Sequence, residues 1–352
     1  MKEPREIAEN IFLIRQGGAS YGIKPPMNIY VIAGEDGLIF DAGFGNSSAL
    51  KKVRDGVRKI EGICRERGSE CRITRVLASH THPDHFSGLS GMREKMGLKV
   101  LLTPGMYELI KNREKWYSSY RDPEREHGIF SHPRNGLLTA VMTALSNAYF
   151  RISFGLTFMP DPDEIVEEES LIMVNGEEWL VMAGPGHCDN HVMLYNRERG
   201  LLLAGDNVLR SITTWLGPPR SNLKDYISTL QRIRELPGLK RILSAHGSSI
   251  ENPVERIDDI INYRDMRTRE IEGIIKDSGN RGITFHHVVE KVYPKMSPLR
   301  RRLVEGWIIT TIQHLEAEAR IRRCNVSGRM GFMHDATGKV QPPTQNQQMS
   351  LI

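Results

Sequence analysis

The sequence predicts an α/β (α+β) fold, and three observations lead to that class. Short apolar runs typical of β-strands recur between residues 10 and 244. Amphipathic helical patterns separate several of these runs, for example over residues 48–67. Histidine or aspartate residues follow several of the runs within four residues, at points where a strand would meet a loop. Together they predict a strand-rich domain with polar side chains at its strand ends, followed by a helical C-terminal region.

Composition sets broad limits on this chain. Its 352 residues are 39% hydrophobic, enough to bury the core of one large domain with an appendage. The charged opening leads into no long apolar run, so we expect neither a secretory signal nor a membrane-spanning segment. The four cysteines are widely scattered, which argues against a disulfide framework and predicts a cytoplasmic location. The net charge of +5 fits either an anionic partner or ordinary surface charge.

The predicted elements follow in chain order. Strand patterns occupy residues 10–14, 28–32 and 37–40, and a Gly/Pro-rich stretch from 17 to 26 predicts a loop between the first two. A helix is predicted over residues 48–67 and another over 87–96. Further strands are predicted at 76–78, 99–103, 170–174, 179–183, 192–195, 201–204 and 241–244.

The segment Ser79-His80-Thr81-His82-Pro83-Asp84-His85 follows the apolar run at 76–78 and holds four metal-capable side chains. In an extended chain His80, His82 and Asp84 share one side, while His85 follows a turn set by Pro83. One loop can therefore serve two neighbouring metals, since neutral imidazole and carboxylate suit zinc, iron and manganese. The alternative is a polar loop whose histidines hydrogen-bond to nearby backbone.

Three further ligand candidates follow later strands. His187 lies in Gly184-Pro185-Gly186-His187, Asp206 in Leu203-Ala204-Gly205-Asp206 and His246 in Ala245-His246-Gly247. Each lies where a rigid strand would meet a loop, an arrangement that fixes the position of a ligand closely. The sequence therefore supplies more ligands than the first loop alone.

These motifs resemble the metallo-β-lactamase superfamily, whose signature is the pattern His-X-His-X-Asp-His. The resemblance covers residues from about 7 to 250. Within the superfamily, the sequence is similar to the hydroxyacylglutathione hydrolase and lactamase-beta-2-like branches. It implies an αββα sandwich, in which two mostly antiparallel sheets face each other, helices cover the outside and metals lie at one edge. It also implies a metallo-β-lactamase catalytic domain over residues 1–250 and a C-terminal helical or winged-helix-like domain over 251–324. Residues 325–352 are rich in Gln, Asn, Gly and Pro with little apolar patterning, and this composition predicts a disordered tail.

The resemblance assigns seven residues to two divalent metal ions, most readily Zn²⁺, with iron or manganese as alternatives. The first metal is assigned His80, His82 and His187, the second Asp84, His85 and His246, and Asp206 bridges both. Asp84 and Asp206 are also the candidate catalytic residues, because either could orient a water molecule or accept its proton.

Residues beside these candidates receive more modest roles. Asp41, in Phe40-Asp41-Ala42-Gly43, resembles an aspartate that supports the metal histidines, although a lone aspartate at a strand end is more often a turn residue. Cys188-Asp189-Asn190-His191 departs from the pattern of many relatives. We expect Cys188 to be a buried neighbour of the site and His191 to form structural hydrogen bonds.

A helical stretch from about 105 to 165 interrupts the strands and predicts a cap over the catalytic edge. Helices are predicted at 107–120 and 137–150, around a polar segment at 122–135. Apolar side chains of the cap could line an acyl or aromatic pocket, or could form the core of the cap itself. They are Met142, Leu145, Tyr149, Phe150 and Phe154.

From residue 252 onward three helices are predicted, over residues 257–275, 284–292 and 298–315, then a short strand at 316–323. Thr284 is the expected N-cap of the second helix, and Asp277-Ser278-Gly279-Asn280 is expected to end the first. The module resembles the winged-helix extension of the lactamase-beta-2-like branch. It could bind nucleic acid through Arg300-Arg301-Arg302, but we favour packing on the catalytic domain or completion of a homodimer.

The leading functional hypothesis is a binuclear metal-dependent hydrolase of a thioester, lactone or similar small ester, acting through a metal-bridging hydroxide. The best-known β-lactam-hydrolysing relatives carry cysteine where this chain has Asp206, which argues against antibiotic hydrolysis. A metal-dependent endoribonuclease is the first alternative. An iron-dependent redox or oxygen-handling protein is a distant third, since no flavodoxin-like segment follows the catalytic region.

Overall fold

The computed structural model describes residues 4–17, 26–122, 148–296 and 298–335, with side chains described for all of these except 150 and 298–303. Two sheets make up most of the catalytic region. The first contains β1 (Arg5–Ala8), β2 (Ile11–Gln16), β3 (Met27–Ile32), β4 (Gly37–Phe40), β5 (Ile73–Leu77), β6 (Lys99–Leu102) and β7 (Glu164–Ile165), in that order. The strands of the second sheet are β8 (Ser170–Val174), β9 (Glu177–Ala183), β10 (Val192–Asn196), β11 (Leu201–Gly205) and β12 (Arg241–Ser244). They lie side by side in the order β12-β11-β10-β9-β8.

Strand direction in the first sheet differs from the prediction of two mostly antiparallel sheets. Strands β1 to β4 pair antiparallel, but β4 to β7 pair parallel. The reason is the chain between these strands: α1 (Ser47–Glu66) links β4 to β5, and α2 (Pro83–Phe86) and α3 (Leu89–Met96) link β5 to β6. Helical crossovers return the chain in the same direction, so the strands they connect lie parallel.

The side chains of β10 show how the layers pack. Val192 and Leu194 belong to the main core with residues of the first sheet, whereas Met193 and Tyr195 belong to a second core. That second core also contains residues of α6 (Leu223–Arg234) and the first half of α7 (Pro253–Lys276). Since successive side chains of a strand point to opposite faces, the second sheet lies between the first sheet and these helices. The αββα order predicted from the resemblance is confirmed.

The cap is only partly described. Its first predicted helix is two short helices, α4 (Pro104–Ile110) and α5 (Arg113–Ser119), because Asn112 caps α5 by accepting from the Lys115 backbone N–H at 2.8 Å. Phe154, in the π-helical turn Phe150–Phe154, is buried and its ring centroid lies 5.4 Å from that of Phe44. Phe154 is therefore core rather than pocket lining. Most of the second predicted helix, with Met142 and Leu145, and the side chain of Phe150 lie outside the described residues.

The C-terminal region contains the predicted helices. They are α7, α8 (Phe285–Val292) and α9 (Pro298–Ala317). Thr284 is the N-cap of α8, and α7 ends at Lys276, directly before the predicted stop. Strand β13 (Ile283–Thr284) pairs with β15 (Arg329–His334), which also pairs with β14 (Ile321–Val326). The winged-helix assignment and the boundary at residue 250 stay predictions, and the side chains of Arg300-Arg301-Arg302 lie outside the described residues.

The prediction of a disordered tail from residue 325 is wrong for residues 325–335. Residues 325 and 326 end β14, the chain then turns, and Arg329–His334 form β15, which pairs antiparallel with β14. Phe332 of β15 is fully buried in the C-terminal core with Ile283 and Ile321. The strand pattern of this segment is weak in the sequence because Arg329 and Met330 are exposed and few apolar residues alternate along the strand. Residues 336–352 lie outside the described part of the chain. Within the described part, no helix has both the length and the apolar character needed to cross a bilayer.

We expect Phe332→Ala to lower the free energy of unfolding by about 3 kcal/mol, because the change leaves a cavity in a closed core. Chemical denaturation of the two proteins measures the difference. Met330→Ala is the matched control, since Met330 lies on the same strand with 43% of its surface exposed. Equal stability of Phe332→Ala and wild-type protein would show that the strand contributes nothing and that the tail prediction was right.

Candidate metal centre

The loop after β5 is held by backbone contacts beneath the candidate ligands. Ser79 donates its backbone N–H to the Asp41 Oδ1 atom at 2.8 Å, which ties the loop to the end of the neighbouring strand β4. His82 is the N-cap of α2, and Pro83 occupies the first turn of that helix. The short helix places Asp84 and His85 after the turn. The predicted change of direction at Pro83 is thus confirmed.

Three histidines form the first cluster. The His80 Nε2 and His82 Nδ1 atoms lie 2.8 Å apart, and the His187 Nε2 atom lies 3.3 Å and 3.0 Å from them. His187 reaches this cluster from the loop after β9, in the second sheet. Ring nitrogens from two loops, one after each of two strands in different sheets, therefore lie close together at one place.

Burial gives these imidazoles the protonation state of metal ligands. It lowers the pKa of His80 and of His82 well below the ordinary value, and neighbouring histidines lower both further. Burial also lowers the pKa of His187, although the Asp206 carboxylate opposes that effect. Neutral imidazoles keep a lone pair on one nitrogen, which is the donor that a divalent cation needs.

The second cluster combines histidine with carboxylates. His246 Nε2 lies 3.6 Å from Asp84 Oδ2 and 3.3 Å from Asp206 Oδ1. His85 Nε2 lies 3.8 Å from Asp84 Oδ1 and 3.7 Å from Asp206 Oδ2. Asp206 also approaches the first cluster, with Oδ2 at 3.6 Å from His187 Nε2. Asp206 thus lies between the two clusters, the place that the resemblance gave it.

Charge in the second cluster favours a cation. Burial lowers the pKa of His85, but three carboxylates, Asp41 foremost, outweigh it and hold that pKa well above its ordinary value. Burial raises the pKa of Asp206, but His246 and His85 reverse this and hold it well below its usual range. The Asp206 carboxylate is therefore ionised and attracts positive charge, which a divalent metal supplies as readily as a proton.

Two buried atoms in the second cluster have no hydrogen-bond partner, and they fit a metal. They are His85 Nε2 and Asp206 Oδ1. A buried polar atom without a partner costs about 1–3 kcal/mol, and such groups are rare in folded proteins. Because both atoms face the other ligand candidates, a cation in the cluster would satisfy them. The residues present therefore fit divalent metal ions.

The second ring nitrogens of His85, His187 and His246 each lie beside an oxygen of a neighbouring residue, which fixes ring orientation. His187 Nδ1 lies 2.7 Å from Trp215 O, and His246 Nδ1 lies 2.7 Å from Pro26 O. His85 Nδ1 lies 3.1 Å from Asp41 Oδ2, so Asp41 is a support for a histidine rather than a simple turn residue. The Trp215 and Pro26 contacts were not predicted, because a backbone carbonyl leaves no mark on the sequence.

Cys188 and His191 have the positions expected of them. Cys188 is buried, and its Sγ atom lies 2.9 Å from Asn190 Oδ1 rather than among the ligand candidates. His191 accepts the Asp206 backbone N–H at 3.1 Å and stacks on His80 with ring centroids 4.9 Å apart. Both residues support the loops that carry the clusters.

Aromatic side chains flank the first cluster on two sides. The Tyr120 ring lies 6.1 Å from the His82 ring and the Trp215 ring 6.3 Å from it, centroid to centroid. Trp116 donates its indole N–H to Thr81 O at 3.0 Å, which fixes the cap against the metal loop. Trp215 is 51% exposed, so this side of the cluster is open to solvent. Trp215 was not singled out from the sequence, because nothing near it in the chain marks a site.

An αββα sandwich with a His/Asp cluster for divalent metals at one edge defines a class of metal-dependent enzymes. A family model described as "Metallo-beta-lactamase superfamily" matches residues 25–246 of this chain. The chain belongs to the metallo-beta-lactamase superfamily.

Two relatives illustrate the similarity in sequence. A "Beta-lactamase-like protein 2 homolog" of Caenorhabditis elegans is 34% identical over 128 residues, which are 36% of this chain and 41% of that protein. The match thus spans less than half of that relative. "Acyl-coenzyme A thioesterase MBLAC2" of Gallus gallus is 27% identical over 251 residues, which are 69% of this chain and 79% of that protein.

Solved structures share the fold. A metallo-beta-lactamase family protein from Thermus thermophilus has a TM-score of 0.69 at 20% identity, covering 94% of this chain and 100% of that one. A beta-lactamase domain protein from Burkholderia ambifaria has a TM-score of 0.71 at 16% identity, covering 94% and 93%. Both matches extend past residue 246, so they include most of the C-terminal region.

Proposed function

We propose that this protein is a binuclear metal-dependent hydrolase of acyl thioesters, with coenzyme A thioesters as its substrate class. The observation that carries the proposal is the position of Asp206 between two ligand clusters, within 3.7 Å of His85, His187 and His246. His80, His82 and His187 would hold the first ion. Asp84, His85 and His246 would hold the second, and Asp206 would contact both. Zn²⁺ suits this mixture of imidazole and carboxylate, as do iron and manganese.

When bound, two divalent ions supply a water activated near neutral pH and polarise the substrate oxygen. The chain's own residues do the rest. Asp84 and Asp206 present carboxylate oxygens that would orient the water or accept its proton, with Asp206 serving mainly as the contact shared by both ions. The supporting contacts at Asp41, Trp215 O and Pro26 O keep the ring planes fixed, so the site needs little rearrangement before reaction.

Two observations support the substrate class. The Tyr120 and Trp215 rings lie beside His82, and aromatic walls suit an apolar acyl chain better than a phosphate. The Gallus gallus relative, which aligns with 69% of this chain, is named as an acyl-coenzyme A thioesterase. Lactones and other small esters present the same carbonyl and are the nearest alternative substrates.

A hydrolysis panel tests this function. The purified protein, loaded with Zn²⁺, is assayed with acyl-coenzyme A esters of graded length, lactones, a phosphodiester and RNA. We expect the highest kcat/KM with an acyl-coenzyme A ester, since this substrate combines a thioester with an apolar chain. The matched control is His82→Ala, which separates activity of this site from contaminating esterases. Faster cleavage of RNA than of every thioester, lost in His82→Ala, would replace this proposal with the endoribonuclease alternative.

A further inference from the structure

The loop of residues 206–222, called here the Trp215 loop, connects β11 to α6 and touches both ligand clusters. It begins with Asp206, and the Thr214 hydroxyl donates back to the Asp206 carbonyl oxygen. One residue later, the Trp215 carbonyl oxygen lies 2.7 Å from His187 Nδ1. The path of this loop therefore sets both the backbone of Asp206 and the ring plane of His187.

Helix α7 of the C-terminal region holds the Trp215 loop from outside. Arg256 donates from Nε to Leu209 O at 2.8 Å and from Nη2 to Ile212 O at 2.9 Å. Arg264 donates from Nη2 to the Thr214 carbonyl oxygen. Hydrogen bonds from a charged donor are stronger than those between neutral groups. Two arginines of one helix thus bind three backbone carbonyls of a loop that forms neither helix nor strand.

Arg264 stands out because it is only 6% exposed. Burying a guanidinium is costly unless its donors are used; the Arg264 Nη2 atom donates to the Thr214 carbonyl oxygen, while the Arg264 Nε atom has no hydrogen-bond partner. Its charge lies 5.7 Å from the centre of the Tyr226 ring, and the Tyr226 hydroxyl donates to Asn207 O at 2.9 Å. Arg264 and Tyr226 therefore hydrogen-bond to the Trp215 loop at two positions, the carbonyl oxygens of Thr214 and Asn207.

Helix α9 contacts the loop through a glycine. A Cβ atom on Gly306 would lie 3.1 Å from Leu216 O, 3.2 Å from Gly217 Cα and 3.3 Å from Trp215 Cζ2. These separations are tighter than most Cβ contacts in proteins, so an alanine at this position would require the loop to shift by a few tenths of an ångström. The C-terminal region thus touches the indole that faces His82.

We propose that the C-terminal helices α7 and α9 position the metal site through the Trp215 loop, with Arg264 as the principal positioning residue. The inference rests on the proposed function, because it takes His187 and Asp206 as metal ligands. It gives the C-terminal region a role in metal binding that needs no nucleic acid. Loss of the Arg264 contact releases Thr214 and Trp215, and through them the Asp206 backbone and the His187 ring.

The test measures metal binding, not only turnover. Zn²⁺ affinity is determined by competition with a chromogenic chelator, and Co²⁺-loaded protein gives an absorption spectrum that reports ligand geometry. Loss of a group that orients a ligand typically weakens metal binding about 10–100-fold. We expect Arg264→Met to show a loss in that range with a changed Co²⁺ spectrum, and Arg264→Lys to restore part of it.

Gly306→Ala probes the same loop from α9 and keeps the inference testable if Arg264→Met does not fold. We expect it to change the Co²⁺ spectrum and lower Zn²⁺ affinity several-fold. Its matched control is Gly273→Ala in α7, where a Cβ atom meets nothing within 4 Å. Wild-type affinity and spectrum in both Arg264→Met and Gly306→Ala would overturn the inference. A wild-type protein that binds no Zn²⁺ at all would instead contradict the proposed function.

Discussion

His82→Ala is expected to abolish hydrolysis, lowering kcat by at least about 10³-fold, because an activated water with a pKa near 7 depends on the bound metal. His82 contributes one of three nitrogens that meet within 3.3 Å. Without it the first cluster keeps two imidazoles, so we also expect the metal content to fall by about one ion per chain. Steady-state kinetics and elemental analysis of the purified variant measure the two effects.

The fold should survive this change, because His82 caps a short helix and lies at the edge rather than in the core. His286→Ala is the matched control: its side chain is 48% exposed on α8 and its ion pair with Glu290 is a surface one. Circular dichroism of both variants should match the wild type. Two metals per chain and near-normal turnover in His82→Ala would remove His82 from the ligand set.

Asp206→Asn is expected to have an effect of similar size for a different reason. The amide keeps the shape of the side chain but removes the negative charge that faces both clusters. Two cations held about 3.5–4 Å apart repel each other, and a carboxylate between them offsets that repulsion. We therefore expect loss of at least one ion per chain and a fall in kcat of about 10³-fold, measured as for His82→Ala.

Asp55→Asn is the control for charge removal, since Asp55 forms an exposed ion pair with Lys51 on α1. It should keep both metals and full activity. If Asp206→Asn bound two ions as tightly as the wild type does, Asp206 would be a neighbour of the metals and not their shared ligand. The description of the site as binuclear would then need another bridging group.

Much of the candidate site could be predicted from sequence because its candidate ligands lie close together in the chain or follow strands. His80, His82, Asp84 and His85 share one short loop, so their proximity needs no knowledge of the fold. Placing His187, Asp206 and His246 beside them needed the superfamily pattern, because only the pairing of strands brings their loops together. The structure places all seven within two adjoining clusters.

Other features could not be predicted for physical reasons. Trp215 acts through its backbone carbonyl and an exposed ring, and neither produces a periodic pattern. In the sequence Arg264 is one of many charged residues of its helix, and only the folded structure shows that it is buried and bound to the Thr214 carbonyl oxygen. Strand β15 was mistaken for a tail because Phe332 finds its apolar neighbours on other elements.

The most direct test of the binuclear site is anomalous X-ray diffraction from crystals of the Zn²⁺-loaded protein, recorded at the zinc absorption edge. The proposal predicts two strong anomalous peaks per chain. One should lie among His80, His82 and His187, the other among Asp84, His85 and His246, with Asp206 in contact with both. A single peak, or peaks away from these residues, would contradict the assignment of two metals to this edge of the sandwich.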